Sequence, residues 1–293
     1  MTTTPPSEIG FEDASSGAQT LRRGLKELCG TVKTQSGGHI KPVHVHCSHR
    51  LTIEGGFPPE WILPSPPLVS RERTRTDFDL RADKRAENLS EHSVLGGIKH
   101  KNVDVTVLVP GIGPALGISA KSTGNAFRNL TNRMEEALGD CANIHMMYPG
   151  FVFGFLHFIR YATPASVLAA DASFGSDGQP LPKLIRYHDV LLSLSGRTTI
   201  TDPAMRYESV GLVVYKCENG VVDTYPPADS PVHYRDFYER LYRIYDLRYA
   251  YPDSSGKSSR KVWSPRGLQF PLDFDADLGF PWAPRLGDDL ERI

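Results

Sequence analysis

The sequence predicts an α/β fold, a mixed central sheet flanked by helices with extra loops and short strands, and three observations carry that reading. Residues 102–109 (NVDVTVLV) form a β-rich run, residues 110–114 a Gly/Pro break and residues 115–121 a second run, the pattern of an antiparallel hairpin. Residues 126–138 then show helical apolar periodicity after the helix-start chemistry of Ser122, Thr123 and Asn125, with Gly139 as the expected stop. Residues 143–159 follow with little polar relief, as expected of strand covered on both faces.

The remaining elements fall around these. Residues 1–17, rich in Thr, Pro, Ser and Gly, read as a disordered tail. Residues 18–28 place leucines at 21, 25 and 28 and predict a short helix. Gly, Pro and His crowd residues 37–70, which predicts loops and short strands. The charged stretch 80–92 predicts a helix ended by Gly96 and Gly97. Residues 182–194 predict a further helix, residues 207–224 a hairpin turning at Glu218, Asn219 and Gly220, and residues 234–248 a Tyr-rich helix. No repeat or composition shift divides the chain, so residues 18–252 are expected to form one domain around a core at about 80–160. Residues 253–293 are expected to be a loop-like extension.

Composition narrows the function. Thirty-three basic residues against 34 acidic ones give no global basic field, though a local basic face remains open. The polar, acid-bearing N-terminus reads as neither signal nor transit peptide. The most apolar stretch, residues 144–159, is too short and too interrupted to span a bilayer. Four dispersed cysteines without a Cys-x-x-Cys pair fit reduced thiols and a cytoplasmic location.

Chemistry concentrates between residues 99 and 138. Asp104 interrupts an apolar strand and Lys121 ends the partner strand. Burying a charge in a strand is costly unless it is paired or metal-bound. The two residues alone suit a structural ion pair as well as a site.

An acid on one hairpin strand and a small-x-Lys tripeptide on the next, Ser119-Ala120-Lys121, resembles the PD-(D/E)xK nuclease superfamily with its restriction-endonuclease-like fold. Ser119 stands where the usual pattern has an acid. It is similar to a branch of type II restriction endonucleases in which the missing carboxylate comes from a glutamate on the following helix. Glu135 and Glu136 are the candidates. At about 100° per residue, Phe127, Leu130, Met134, Ala137 and Leu138 form one stripe. Glu136 falls opposite it and Glu135 on its shoulder, which selects Glu135.

The resemblance implies a Mg²⁺-dependent endonuclease acting on double-stranded DNA as a homodimer, at a specific short sequence. Asp104, Glu135 and the Ala120 carbonyl would hold the ion, as a hard cation prefers oxygen ligands. Lys121 would contact the scissile phosphate and orient or help deprotonate the water. Ser119 would be a supporting hydrogen-bonder, and Glu87, on the preceding charged segment, an accessory acid. A non-specific nuclease of the same superfamily and an inactive DNA-binding module are the alternatives.

Three weaker signals complete the reading. Arg71, Arg73 and Arg75 alternate along an extended segment and would suit a phosphate track, as would Arg128 beside the hairpin. Lys257, Arg260, Lys261, Trp263 and Arg266 read as a DNA-contacting arm or a solvated linker. His44 and His46 would share a face of a strand, as two metal ligands could, but no downstream cluster partners them.

Overall fold

The computed structural model describes residues 21–30, 40–74, 77–123, 130–167, 171–216, 220–221, 224–249, 260–264 and 285. The expected tail at 1–17 and the residues Arg75, Arg128, Lys257 and Arg266 lie outside them.

A six-stranded mixed sheet forms the centre, in the order β1-β6-β7-β8-β9-β10. Its strands are β1 (Ile62–Leu63), β6 (Val105–Val109), β7 (Gly113–Thr123), β8 (Val152–Arg160), β9 (Ser209–Lys216) and β10 (Gly220–Val221). The pairs β6–β7 and β9–β10 are antiparallel, whereas β7–β8 and β8–β9 are parallel. The first predicted hairpin is present; of the second, β9 and β10 pair as expected, Gly220 already belongs to β10, and Glu218 and Asn219 of the expected turn lie outside the described residues. In the first, Gly111 and Gly113 take φ of 81° and 91°, which suits glycine at the tight connection.

Helices cover both faces. On one side lie α1 (Leu21–Gly30), α2 (Lys41–Ile53) and α5 (Phe237–Arg248), packed on Val105, Val107, Ile118 and Leu156. On the other lie α3 (Leu130–Met147) and α4 (Pro182–Ser193), packed on Phe153, Phe155, Val210 and Leu212. Strand β8 is buried from Val152 to Ile159, as its continuous apolar run requires. α5 can lie close to the sheet because Gly154 faces Phe237 and Leu241; a Cβ there would come within 2.7 Å of the Phe237 ring.

The structure corrects several expectations. Residues 41–53 are a helix, not loop and strand. Ten of the thirteen side chains of α2 are buried, among them His44, His46, Ser48, His49, Arg50 and Thr52, so no apolar stripe exists to read. Residues 80–92 are not a helix. Residues Asp77–Ala82 form β3, whose Phe78 and Leu80 point inward with a period of two. Lys84–Ala86 make one 3-10 turn, and β4 (His92–Val94) pairs with β5 (Lys101–Val103).

Gly96 and Gly97 stop no helix. They admit the side chains of α3, since a Cβ on Gly96 would meet Asn143 at 2.0 Å. α3 itself runs through Gly139 to Met147 and takes up the first residues of the expected strand. The C-terminal segment contributes β11 (Val262–Ser264), parallel to β3, which also pairs with β2 (Leu68–Glu72). Cys29 is disulfide-bonded, against the reading of reduced thiols throughout, while Cys47 and Cys141 are free and buried.

Two interior histidines give the fold a pH dependence. Burial holds His49 down to about 4, and burial with the nearby Arg133 and Lys121 holds His157 down to about 3. Both are neutral in the native state, whereas the unfolded chain takes up protons near pH 6.5. Their stabilising contribution is complete above pH 6.5 and is lost as pH falls toward 4. The thermal midpoint is expected to fall steadily over that interval; a flat profile between pH 6.5 and 4 contradicts this assignment.

Candidate functional site

Asp104 stands at the junction of β5 and β6, where one strand leaves the small sheet and the next enters the large one. It is only 6% exposed. Its Oδ2 accepts three hydrogen bonds from β7: from the Ser119 hydroxyl at 3.0 Å, the Ala120 amide at 2.8 Å and the Lys121 ammonium at 3.3 Å. Antiparallel pairing of Val105 with Ile118 fixes this register. The hairpin therefore brings Asp104, Ser119 and Lys121 together, with Ala120 engaged through its N–H.

The other carboxylate oxygen faces α2. His44 Nε2 is 3.9 Å from Asp104 Oδ1, and His44 Nδ1 is 3.8 Å from Glu91 Oε1. One ligand atom from each of His44, Glu91 and Asp104 lies within 4.8 Å of the others. Burial and the neighbouring Asp104 carboxylate push the Glu91 carboxyl up, partly offset by Lys121, Lys41 and Lys101. Two acids held at close quarters in this way gain from a cation between them. Beside Glu91 opens a cleft of about 420 Å³, lined by Lys41, Ser90, Glu91 and Asn102 among others.

The donor set can be tested against the expected ion. Ligands around an octahedral Mg²⁺ at 2.0–2.1 Å stand roughly 3 Å apart when adjacent and about 4.2 Å apart across the ion. The three donor atoms lie within 4.8 Å of one another, so closing on such an ion draws them together by up to about 2 Å, with a single nitrogen of His44 as ligand. Two carboxylates fit Mg²⁺, while an imidazole moves the preference toward Mn²⁺ and other transition ions. Cys47, one turn beyond His44, is not part of this group, and burial pushes its thiol up to about 12.

The acids of α3 are arranged differently from the helical-wheel reading. Glu135 is exposed and stands apart from the wall of the small cavity beside Lys121. Glu136, the residue the wheel turned outward, is on that wall, with Ser119, Lys121, Arg133, Asp140 and His157. The reason is the length of the helix. Because α3 continues past Gly139, its buried stripe is Met134, Ala137, Cys141 and Ile144, and Leu138 is 39% exposed. This turns Glu136 and Asp140, one turn apart, toward the sheet. Lys101 bridges them, 2.5 Å from Asp140 and 3.9 Å from Glu136. The cavity holds about 10 Å³, room for roughly one water.

His157 completes this wall. It is the register partner of Lys121 on β8, and its Nε2 lies 2.7 Å from the Tyr187 hydroxyl. Neutral and buried, it places no second positive charge beside the ammonium.

Other expected residues lie elsewhere. Glu87 is exposed at the end of the 3-10 turn, and the upstream acid that approaches Asp104 is Glu91, four residues on. Arg71 is exposed on β2, and Arg73 pairs with Asp79 at 3.8 Å. Lys261 pairs with Glu72 at 3.2 Å. His44 could be found only by knowing that α2 is a helix packed over the hairpin.

Comparison with known protein families, curated proteins and solved structures finds no match. Among the described residues no helix is long and apolar enough to cross a membrane. The reading of the site therefore rests on its own geometry: paired acids and an imidazole able to hold a divalent ion, with an ammonium alongside to meet an anion.

Proposed function

We propose that the chain is a divalent-metal-dependent endonuclease of restriction type, with a restriction-endonuclease-like fold, that hydrolyses phosphodiester bonds of double-stranded DNA. One observation carries the reading: a buried aspartate at a strand entrance bonded to a lysine on the paired strand, with an imidazole near its other oxygen and an acid beside that imidazole. A bound Mg²⁺ or Mn²⁺ would supply Lewis-acid stabilisation of the phosphate and a more acidic water.

The residues divide the work. Asp104 and Glu91, with His44, would hold the ion, and the Ala120 carbonyl remains a further candidate. Lys121 would bind a non-bridging phosphate oxygen and orient the attacking water, its Nζ held in place by Asp104 at 3.3 Å. Ser119 fixes the Asp104 carboxylate through its hydroxyl. Of the two helix acids only Glu136 lines the cavity beside Lys121, and the second acid of the ion site would be Glu91 rather than either of them. Two copies of the chain would meet the two strands of a palindrome.

A second reading, DNA binding without turnover, draws on Ser119, which offers Asp104 a hydrogen bond in place of a carboxylate. Digestion of plasmid DNA by the purified chain separates these. Discrete fragments that require Mg²⁺ or Mn²⁺ are expected; a smear indicates a non-specific nuclease, and intact plasmid under every metal condition rejects the enzyme.

A further inference from the structure

A second cleft, of about 760 Å³, opens where the C-terminal end of α2 meets α5 and the C-terminal segment. It shares no residue with the Asp104 centre. Five arginines line it, Arg50, Arg235, Arg243, Arg260 and Arg285, against three acids. Two of those acids are committed: Glu54 takes Arg50 through two hydrogen bonds at 2.8 Å, and Asp246 takes Arg260 at 2.8 and 2.5 Å. The third, Glu239, stands between Arg235 and Arg243 at helical spacing, four residues from each.

Arg235 and Arg243 are exposed and form no ion pair with a described residue. Arg285 is partly buried; its Nε has no hydrogen-bond partner among the described residues, and burial and the nearby Arg260 push its guanidinium down from the ordinary range. Guanidiniums crowded at a cleft wall repel one another, and an anion between them relieves that repulsion. Arginine forks match phosphate oxygens two at a time. The volume is that of a nucleotide-sized ligand. Arg260, placed over the Tyr242 ring at 4.9 Å from its centroid, shows how one wall is held rigid.

We propose that this cleft binds phosphate groups, of a nucleic-acid backbone or a free nucleotide, through Arg235, Arg243 and Arg285. The inference does not depend on cleavage at Asp104. Binding is measured in EDTA, with the full chain and three probes: a short labelled duplex, dAMP and inorganic phosphate.

The double variant Arg235→Ala/Arg243→Ala is expected to weaken binding about tenfold, and to flatten the log–log salt dependence for the duplex by about 2. Glu239→Gln, which removes the one acid between the two arginines, is expected to tighten it several-fold. Loss confined to the duplex identifies a backbone contact; loss extending to dAMP and phosphate identifies a nucleotide site. Equal affinity of wild type and both variants for every probe, or no binding by wild type, overturns the proposal. An Asp104→Asn protein that no longer cleaves should bind at this cleft unchanged, so the two readings fail separately.

Discussion

Replacing Lys121 by alanine is expected to lower DNA cleavage by about 10³-fold while changing affinity for DNA by no more than about threefold. The asymmetry follows from where the ammonium sits. It is 28% exposed at the open end of β7 and 3.3 Å from Asp104 Oδ2, so it can meet one phosphate oxygen while its position is set by a buried carboxylate. In the transition state that oxygen carries extra charge, and the loss of a positioned cation is felt there first. As one of many phosphate contacts in the proposed duplex complex, the same lysine would contribute little to affinity. Asp104 keeps its bonds from Ser119 and Ala120, so the fold survives the change. Lys121→Arg retains charge with a planar, longer head group and should recover only part of the rate. Undiminished cleavage by the alanine variant removes the proposed mechanism.

The largest expected effect on stability belongs to Glu208, in the core. Its side chain is fully buried and gathers Arg197 and Arg248, each 2.6 Å from Oε1, while the Phe153 amide donates to Oε2 at 2.7 Å and His145 Nε2 stands 3.4 Å away. The cluster joins the start of β9 to the start of β8 and to the end of α5. Glu208→Ala leaves the Arg197 guanidinium, 1% exposed, without its carboxylate. That costs about 3–5 kcal/mol, roughly a 10 °C fall in the midpoint of unfolding.

Burial alone would push the Glu208 carboxyl up, but His145, Arg248 and the Phe153 amide together hold it below the ordinary carboxylate range. Its contribution is therefore complete above that range and lost as pH falls through the lowered native value. The gap between wild type and Glu208→Ala should narrow in acid. An alanine variant as stable as wild type at neutral pH contradicts the account of this cluster.

How far the sequence exposes the structure depends on whether side-chain polarity tracks burial. It does in the hairpin of β6 and β7, where apolar runs and a Gly-bearing turn mark both strands and bring Asp104 opposite Ser119. It does in α4 and α5 as well. It fails in α2, where buried histidines, Ser48, Thr52 and Arg50 replace an apolar stripe and the His44–His46 spacing imitates a strand. With that helix unread, His44 could not be placed against Asp104. In α3 the glycine at 139 is exposed on the helix surface and stops nothing; a helix ended there takes Leu138 into its stripe and turns Glu136 outward. Glu91 stays hidden because the charge pattern of its segment imitates one helix, whereas the segment folds as a strand, a turn and a second strand. Local pattern located the hairpin, and the second acid and the imidazole come from elements whose placement is tertiary.

The proposed function requires a divalent ion at the Asp104 carboxylate. Titration of Mn²⁺ into the purified chain, followed by the electron paramagnetic resonance of free Mn²⁺, measures this directly. Wild type is expected to take up the ion, Asp104→Asn to lose nearly all of that uptake, and His44→Ala and Glu91→Gln each to weaken it by at least about tenfold. Uptake by Asp104→Asn equal to that of wild type would contradict the account.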